Sequence, residues 1–174
     1  MVHTNVSSAL MPSEDSALAS TSLTPYERLK ALGVTLPSLP PAVANFVPSV
    51  REGSLLFLSG QGPVHAAGYF SGKVGGDVPL ASAYEHARLV GLNLLAAIEA
   101  AVGLDKVSRV VKLFGMVNAA PDFTAHPMVI NGCSDLMIEV FGPEIGRHAR
   151  SAVGMASLPG QITVEIDLVV AIRD

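Results

Sequence analysis

The chain has 174 residues, of which 49% are hydrophobic and only 15% charged, and its net charge is −4. That length supports one domain with a substantial core, and the apolar surplus points to surface buried between subunits. No apolar stretch reaches the ~18 residues of a membrane span, the acidic balance opposes nucleic-acid binding, and a lone cysteine, Cys133, excludes an internal disulfide or a thiolate zinc cluster.

Residues 1–22 mix Ser, Thr, Ala and isolated charges without a period, and they lack the basic start and continuous apolar segment of a secretory signal. A flexible N-terminal extension and a cytoplasmic location are expected. Thr24-Pro25-Tyr26-Glu27 is a capping box with proline at the first helical position, so a short helix should run to about Leu32 and stop at Gly33. The prolines of Pro37-Ser38-Leu39-Pro40-Pro41 lack N–H donors, which makes residues 23–39 a short helix plus linker. Residues 46–50 and 55–59 read as strands joined by the turn Arg51-Glu52-Gly53-Ser54, and Gly60-Gln61-Gly62-Pro63 ends the second. A glycine- and proline-containing loop then extends to about Pro79.

From residue 80 to 102, Ala87, Val90, Leu94, Ile98 and Ala101 recur at helical spacing, which predicts the longest helix. Residues 107–117 are nearly continuous in apolar residues after Arg109, as in a strand covered on both faces. A second long helix should start near Pro127, bury Val129, Cys133, Leu136, Met137 and Val140, and end at Gly142-Pro143. The last two strands, 151–156 and 162–172, read as a hairpin around Leu158-Pro159-Gly160. In the second of them Ile162, Val164, Ile166, Leu168 and Val170 alternate with Thr163, Glu165 and Asp167. The order β-β-α-β-α-β-β implies an α+β two-layer sandwich of one sheet and two helices. The other sheet face needs a partner, and self-association is the simplest one.

Several fragments resemble the RidA/YjgF family, also labelled the endoribonuclease L-PSP family, over roughly residues 40–174. They are Leu55-Leu56-Phe57-Leu58-Ser59-Gly60-Gln61, Gly103-Leu104-Asp105-Lys106-Val107, Asp122-Phe123 ahead of a helix bearing Asn131, and Ala149-Arg150-Ser151-Ala152-Val153 followed by Leu158-Pro159 and Val164-Glu165-Ile166. The resemblance implies a bacterial chorismate mutase-like fold with a mixed sheet, a homotrimer, and ligand clefts between subunits. It also implies cofactor-independent hydrolysis of a reactive imine or enamine of a small carboxylate metabolite to a ketoacid and ammonia. By position, Arg150 is similar to the arginine that binds the substrate carboxylate and Glu165 to the acid that activates or positions water. Asn131 matches a helix asparagine of the family. Many active members have a cysteine where this chain has Ala152 and often a tyrosine where it has Phe46, so backbone groups at Ala152 and an apolar ring at Phe46 would meet the substrate.

The residue chemistry is compatible with these roles. A guanidinium presents a planar two-bond fork to a carboxylate and keeps its charge near neutral pH. If the last hairpin pairs Ala152 opposite Glu165, then Arg150, Ala152, Glu165 and Asp167 share one face. The bland reading of the same register is a cross-strand ion pair between Arg150 and Asp167. Cys133 falls on the apolar stripe and reads as a buried small hydrophobe. Neither glycine-rich loop, Gly60-Gln61-Gly62 nor Gly72-Lys73-Val74-Gly75-Gly76, has a Walker pattern. A non-catalytic small-molecule-binding module is the alternative function. Endoribonuclease activity ranks third, because the chain has no tryptophan and no basic-aromatic cluster.

Overall fold

The computed structural model describes residues 23–38, 44–65 and 67–174. The expected extension, residues 1–22, lies outside them. The first helix, α1 (Pro25–Ala31), carries the expected capping box: Thr24 Oγ1 accepts the Glu27 N–H at 3.2 Å, and a Glu27 carboxylate oxygen accepts the Thr24 N–H at 2.8 Å. Leu32 closes the helix and Gly33 follows with φ 66°. Leu29 enters the core, and the Tyr26 hydroxyl donates to Glu99 at 2.8 Å, which ties α1 to the main body.

The strands are β1 (Ser49–Glu52), β2 (Leu55–Gln61), β3 (Val64–His65), β4 (Gly68–Tyr69), β5 (Val107–Val117), β6 (Ala149–Gly154) and β7 (Val164–Ile172). Five of them form a mixed sheet in the order β1-β2-β7-β5-β6, in which only the β5–β6 pair is parallel. β3 and β4 form a small separate hairpin inside the segment expected to be loop. The long helices α2 (Leu80–Ala101) and α3 (His126–Gly146) cover one sheet face. They approach closely because Gly132 has no side chain: a Cβ there would strike the Tyr84 carbonyl oxygen of α2. The expected stripe of α3 is fully buried, and the helix breaks at Gly142 (φ 78°, ψ 165°) before a last turn to Gly146. Ala101, expected on the buried stripe of α2, is exposed in its final turn.

Two expectations are corrected. β1 begins at Ser49, and Phe46 precedes it in an irregular segment with a turn bond from its N–H to the Ala44 carbonyl. Pro48, which has no N–H to give a ladder, stands between them. More consequentially, β6 and β7 do not form a hairpin, because β5 lies between them and pairs with both. The eleven-residue β5 has two ladder edges, of which β7 takes one and β6 the other, and the intervening segment, with its turn at Pro159–Gln161, crosses over instead of folding back.

The core lies between sheet and helices, with Val164, Ile166, Leu168, Val170 and Ile172 of β7 all buried there. The other sheet face carries Phe57, Phe114, Met116, Val153 and Val169 with no layer of the described residues over them, and Phe57 is 43% exposed. No helix among the described residues is long and apolar enough to cross a membrane.

Candidate functional site

The residues singled out from the sequence fall into two groups on opposite faces of the sheet. Arg150 stands beside Leu113 of β5 in the parallel register, and Glu165 stands beside Met116 in the antiparallel one. Leu113 and Met116 are separated by an odd number of residues and so point to opposite faces. Arg150 and Ala152 therefore do not share a face with Glu165 and Asp167, which corrects the expected arrangement. The cross-strand ion pair between Arg150 and Asp167 is absent for the same reason.

Arg150 projects from edge strand β6 toward α3. Its Nη1 donates to Asn131 Oδ1 at 2.8 Å and to Ser134 Oγ at 3.0 Å. Ser134 Oγ lies 3.0 Å from His148 Nε2, and His148 Nδ1 lies 2.6 Å from the Gly146 carbonyl oxygen. A carbonyl only accepts, so Nδ1 carries the hydrogen, Nε2 accepts from the Ser134 hydroxyl, and that oxygen is left to accept from Arg150. Burial pushes His148 below the usual imidazole range; the Arg150 charge acts in the same direction, while the Gly146 carbonyl opposes it. A neutral His148 suits this chain of bonds. One guanidinium nitrogen is thus saturated by neutral acceptors, and the edge formed by Nε and Nη2 makes no protein bond among the described residues. Ala152 follows on the same side, half-buried against the core.

Glu165 lines a cavity of about 470 Å³ with Phe46, Gly60, Gly62, Tyr69 and Ile162. Its carboxyl is raised above the ordinary range, first by burial and then by the Asp167 charge. Asp167 is itself raised by burial, with Lys112 working against it. Gly60 is required here, because a Cβ at that position would collide with Glu165 Oε1. Phe46 joins the cavity wall although it is 48% exposed.

The structure thus brings Asn131 to Arg150 and Phe46 to Glu165, and leaves the two pairs apart. Two participants had no readable signal. Ser134 is one of many serines until its distance to Arg150 is known. Tyr69 lies in a segment read as loop, and only the small β3–β4 hairpin carries it to the cavity wall. Cys133 is fully buried, and burial pushes its thiol up to about 12, which suits a core residue and not a nucleophile. No cluster of three or more His, Cys, Asp or Glu side chains able to hold a metal occurs among the described residues.

Residues 26–169 match the model of the family described as "YjgF/chorismate mutase-like, putative endoribonuclease". The chain is 41% identical over 148 residues to Protein TCP17 of Trypanosoma cruzi, an alignment covering 84% of this chain and 92% of that protein. Among solved structures it is similar to the Atu1372 protein of Agrobacterium tumefaciens, with 46% identity, a TM-score of 0.78, and coverage of 86% and 94%. It is also similar to Escherichia coli TdcF, solved with bound serine, with 27% identity, a TM-score of 0.55, and coverage of 80% and 98%. Fold, motif order and these matches agree that the chain belongs to the RidA/YjgF, or endoribonuclease L-PSP, family.

Proposed function

We propose that the protein hydrolyses a reactive imine or enamine of a small carboxylate metabolite without a cofactor, in clefts between the subunits of a homotrimer. The carrying observation is the Arg150 guanidinium, held by Asn131 and Ser134 through one nitrogen while its other edge is free for a carboxylate. No acid among the described residues pairs with it, so the charge stays available to an anionic ligand. That TdcF was solved with serine, an amino acid bearing a carboxylate, supports the same ligand chemistry.

The opposite-face arrangement supports a site made by two copies. Within one protomer the sheet separates Arg150 from Glu165, so the two meet across a bound substrate only if different subunits supply them. The uncovered apolar sheet face supplies the surface for that association. In the cleft, Arg150 and Asn131 of one subunit hold the carboxylate end, and the apolar wall with Phe46 and the backbone at Ala152 shape the remainder. Glu165 of the neighbour takes a proton from water as the oxygen attacks the C=N carbon and passes it to the nitrogen, giving a carbinolamine; it then relays the proton of the carbinolamine hydroxyl to the nitrogen as the C–N bond breaks, so that C=O forms and ammonia leaves. A raised carboxyl suits both halves of this transfer. Tyr69 supplies to the cavity a phenol that Phe46 lacks.

The test is release of ammonia and 2-ketoacid from a freshly generated 2-iminoacid above the spontaneous rate, with loss of the excess in Arg150→Ala. Carboxylate binding without turnover would instead assign the chain to a non-catalytic binding module.

A further inference from the structure

An imidazole outside the Glu165 cavity joins two parts of its wall. His86 lies on α2, where its ring stacks on Phe70 with centroids 4.1 Å apart and planes 11° from parallel. Phe70 directly follows Tyr69 of the β3–β4 hairpin, and the His65 ring of β3 meets it at 4.3 Å. The same His86 places Nδ1 at 3.1 Å from Thr163 Oγ1. Thr163 is fully buried and stands two residues before Glu165, and its N–H donates to the Phe70 carbonyl at 3.1 Å. Hairpin and strand are therefore clamped twice, by the backbone bond between Thr163 and Phe70 and by the imidazole that touches both side chains. A further tie comes from Asn93, seven residues after His86 and so on the same face of α2, which donates to the carbonyl of Gly62 in the cavity wall at 3.0 Å.

The bond to Thr163 has a direction. Among the described residues the Thr163 hydroxyl has no acceptor other than His86, so it donates to Nδ1, and the hydrogen of the neutral ring sits on Nε2. Protonation would put a hydrogen on Nδ1 as well, reverse that bond, and leave the buried hydroxyl hydrogen without an acceptor, which costs free energy. The surroundings act in the same sense. Burial first, and then the His65 charge, lower His86 below the usual imidazole range, while Glu85 on the same helix opposes them. The strand side contributes the Thr163 hydroxyl and no titratable group among those acting on the ring. At neutral pH the clamp is held by an uncharged imidazole.

We infer that His86 is a positioning residue for the Glu165 half-site: through Phe70 and Thr163 it sets Tyr69 and Glu165 in one geometry about the cavity. The inference rests on the reading of Glu165 as the proton-transfer group and adds the element that holds it against Tyr69. His86 is not among the residues lining the cavity, so it acts through its neighbours. Its effect therefore falls on turnover and not on the carboxylate end, which Arg150 holds on the other sheet face. Because the clamp needs the neutral ring, it is complete above the usual imidazole range and loosens as pH falls through the lowered value of His86.

The experiment follows ring and amide signals by NMR through a pH titration, beside steady-state turnover of a freshly generated 2-iminoacid, in the full-length wild type and in His86→Phe and His86→Asn. In the wild type the Tyr69 ring and Glu165 amide signals should move together with the titration of the His86 ring, a readout that needs no variant. His86→Phe keeps an aromatic ring against Phe70 and loses the acceptor, so kcat should fall roughly tenfold, the loss of one hydrogen bond, with KM and carboxylate affinity nearly unchanged. His86→Asn puts an amide oxygen near the position of Nδ1 and should recover most of that turnover. Tyr69 and Glu165 signals indifferent to the His86 titration, beside unchanged kcat in both variants, would overturn the inference and leave the hydrolytic reading standing. An equal loss of kcat, carboxylate binding and melting temperature in both variants would also overturn it, making His86 a structural residue only. Coupled signals in a wild-type protein without turnover would uphold the clamp and overturn the hydrolytic reading alone.

Discussion

Arg150 is held by neutral oxygens on a helix whose own hydrogen-bond chain runs through Ser134 and His148 to a carbonyl, whereas Glu165 stands in an apolar cavity beside a second acid. The first arrangement fixes direction and leaves charge untouched. The second disfavours charge and holds the carboxyl above its ordinary range. A binding group needs the former and a proton-transfer group the latter, so the contrast between the two half-sites is itself an argument for dividing the roles as proposed.

The contrast breaks most sharply at Glu165. Replacing it with Gln should lower kcat by roughly 10²- to 10⁴-fold, the usual worth of a general acid–base group, and leave carboxylate binding nearly intact. The same substitution should raise the melting temperature at neutral pH. The folded state holds Glu165 and Asp167 above their ordinary values, so the stability linked to their protonation is complete below the ordinary carboxylate range near ~4 and is lost as pH rises through the raised values. The advantage of the Gln variant should therefore vanish in acid. Melting curves at several pH values check the sign, and a Gln variant less stable than wild type at neutral pH would contradict the reading.

Arg150→Lys comes next. It keeps the charge and removes the planar fork, so carboxylate affinity should fall roughly ten- to a hundredfold with little change in melting temperature or subunit assembly. Weakened assembly beside unchanged binding would instead make Arg150 a structural residue. Asn131→Ala sharpens the same point at smaller scale. It removes one acceptor that orients the guanidinium, a net effect of about 1 kcal/mol, so binding should weaken several-fold while kcat holds. Tyr69→Phe tests the other half-site: a few-fold drop in turnover without loss of carboxylate affinity is expected from kinetics alongside calorimetry. The smallest effect belongs to removal of residues 1–22, where no periodic apolar pattern offers a core contact; assembly by light scattering should be unaltered.

Local chemistry made much of this protein legible in advance. The capping box at Thr24 to Glu27, the stripe from Val129 to Val140 and the alternation along β7 are set by neighbours within a few residues, and each is found where the pattern put it. The site was legible only as a set of candidates. The register of β6 and β7 depends on which strand inserts between them, and the turn-rich stretch joining them serves a hairpin and a crossover equally well. That single long-range choice moved Arg150 and Glu165 to opposite faces.

The sequence by itself determined the long helices, the main strands, the family motifs and the kinds of side chain available, because capping, periodicity and residue chemistry act over short distances. Only the tertiary structure decided that Arg150 faces Asn131 and Ser134, and that Tyr69 joins Phe46 and Glu165 at one cavity. These are contacts between residues distant in the chain. A strand slipped by one position, or paired with a different neighbour, would present every side chain to the other face without altering any local preference.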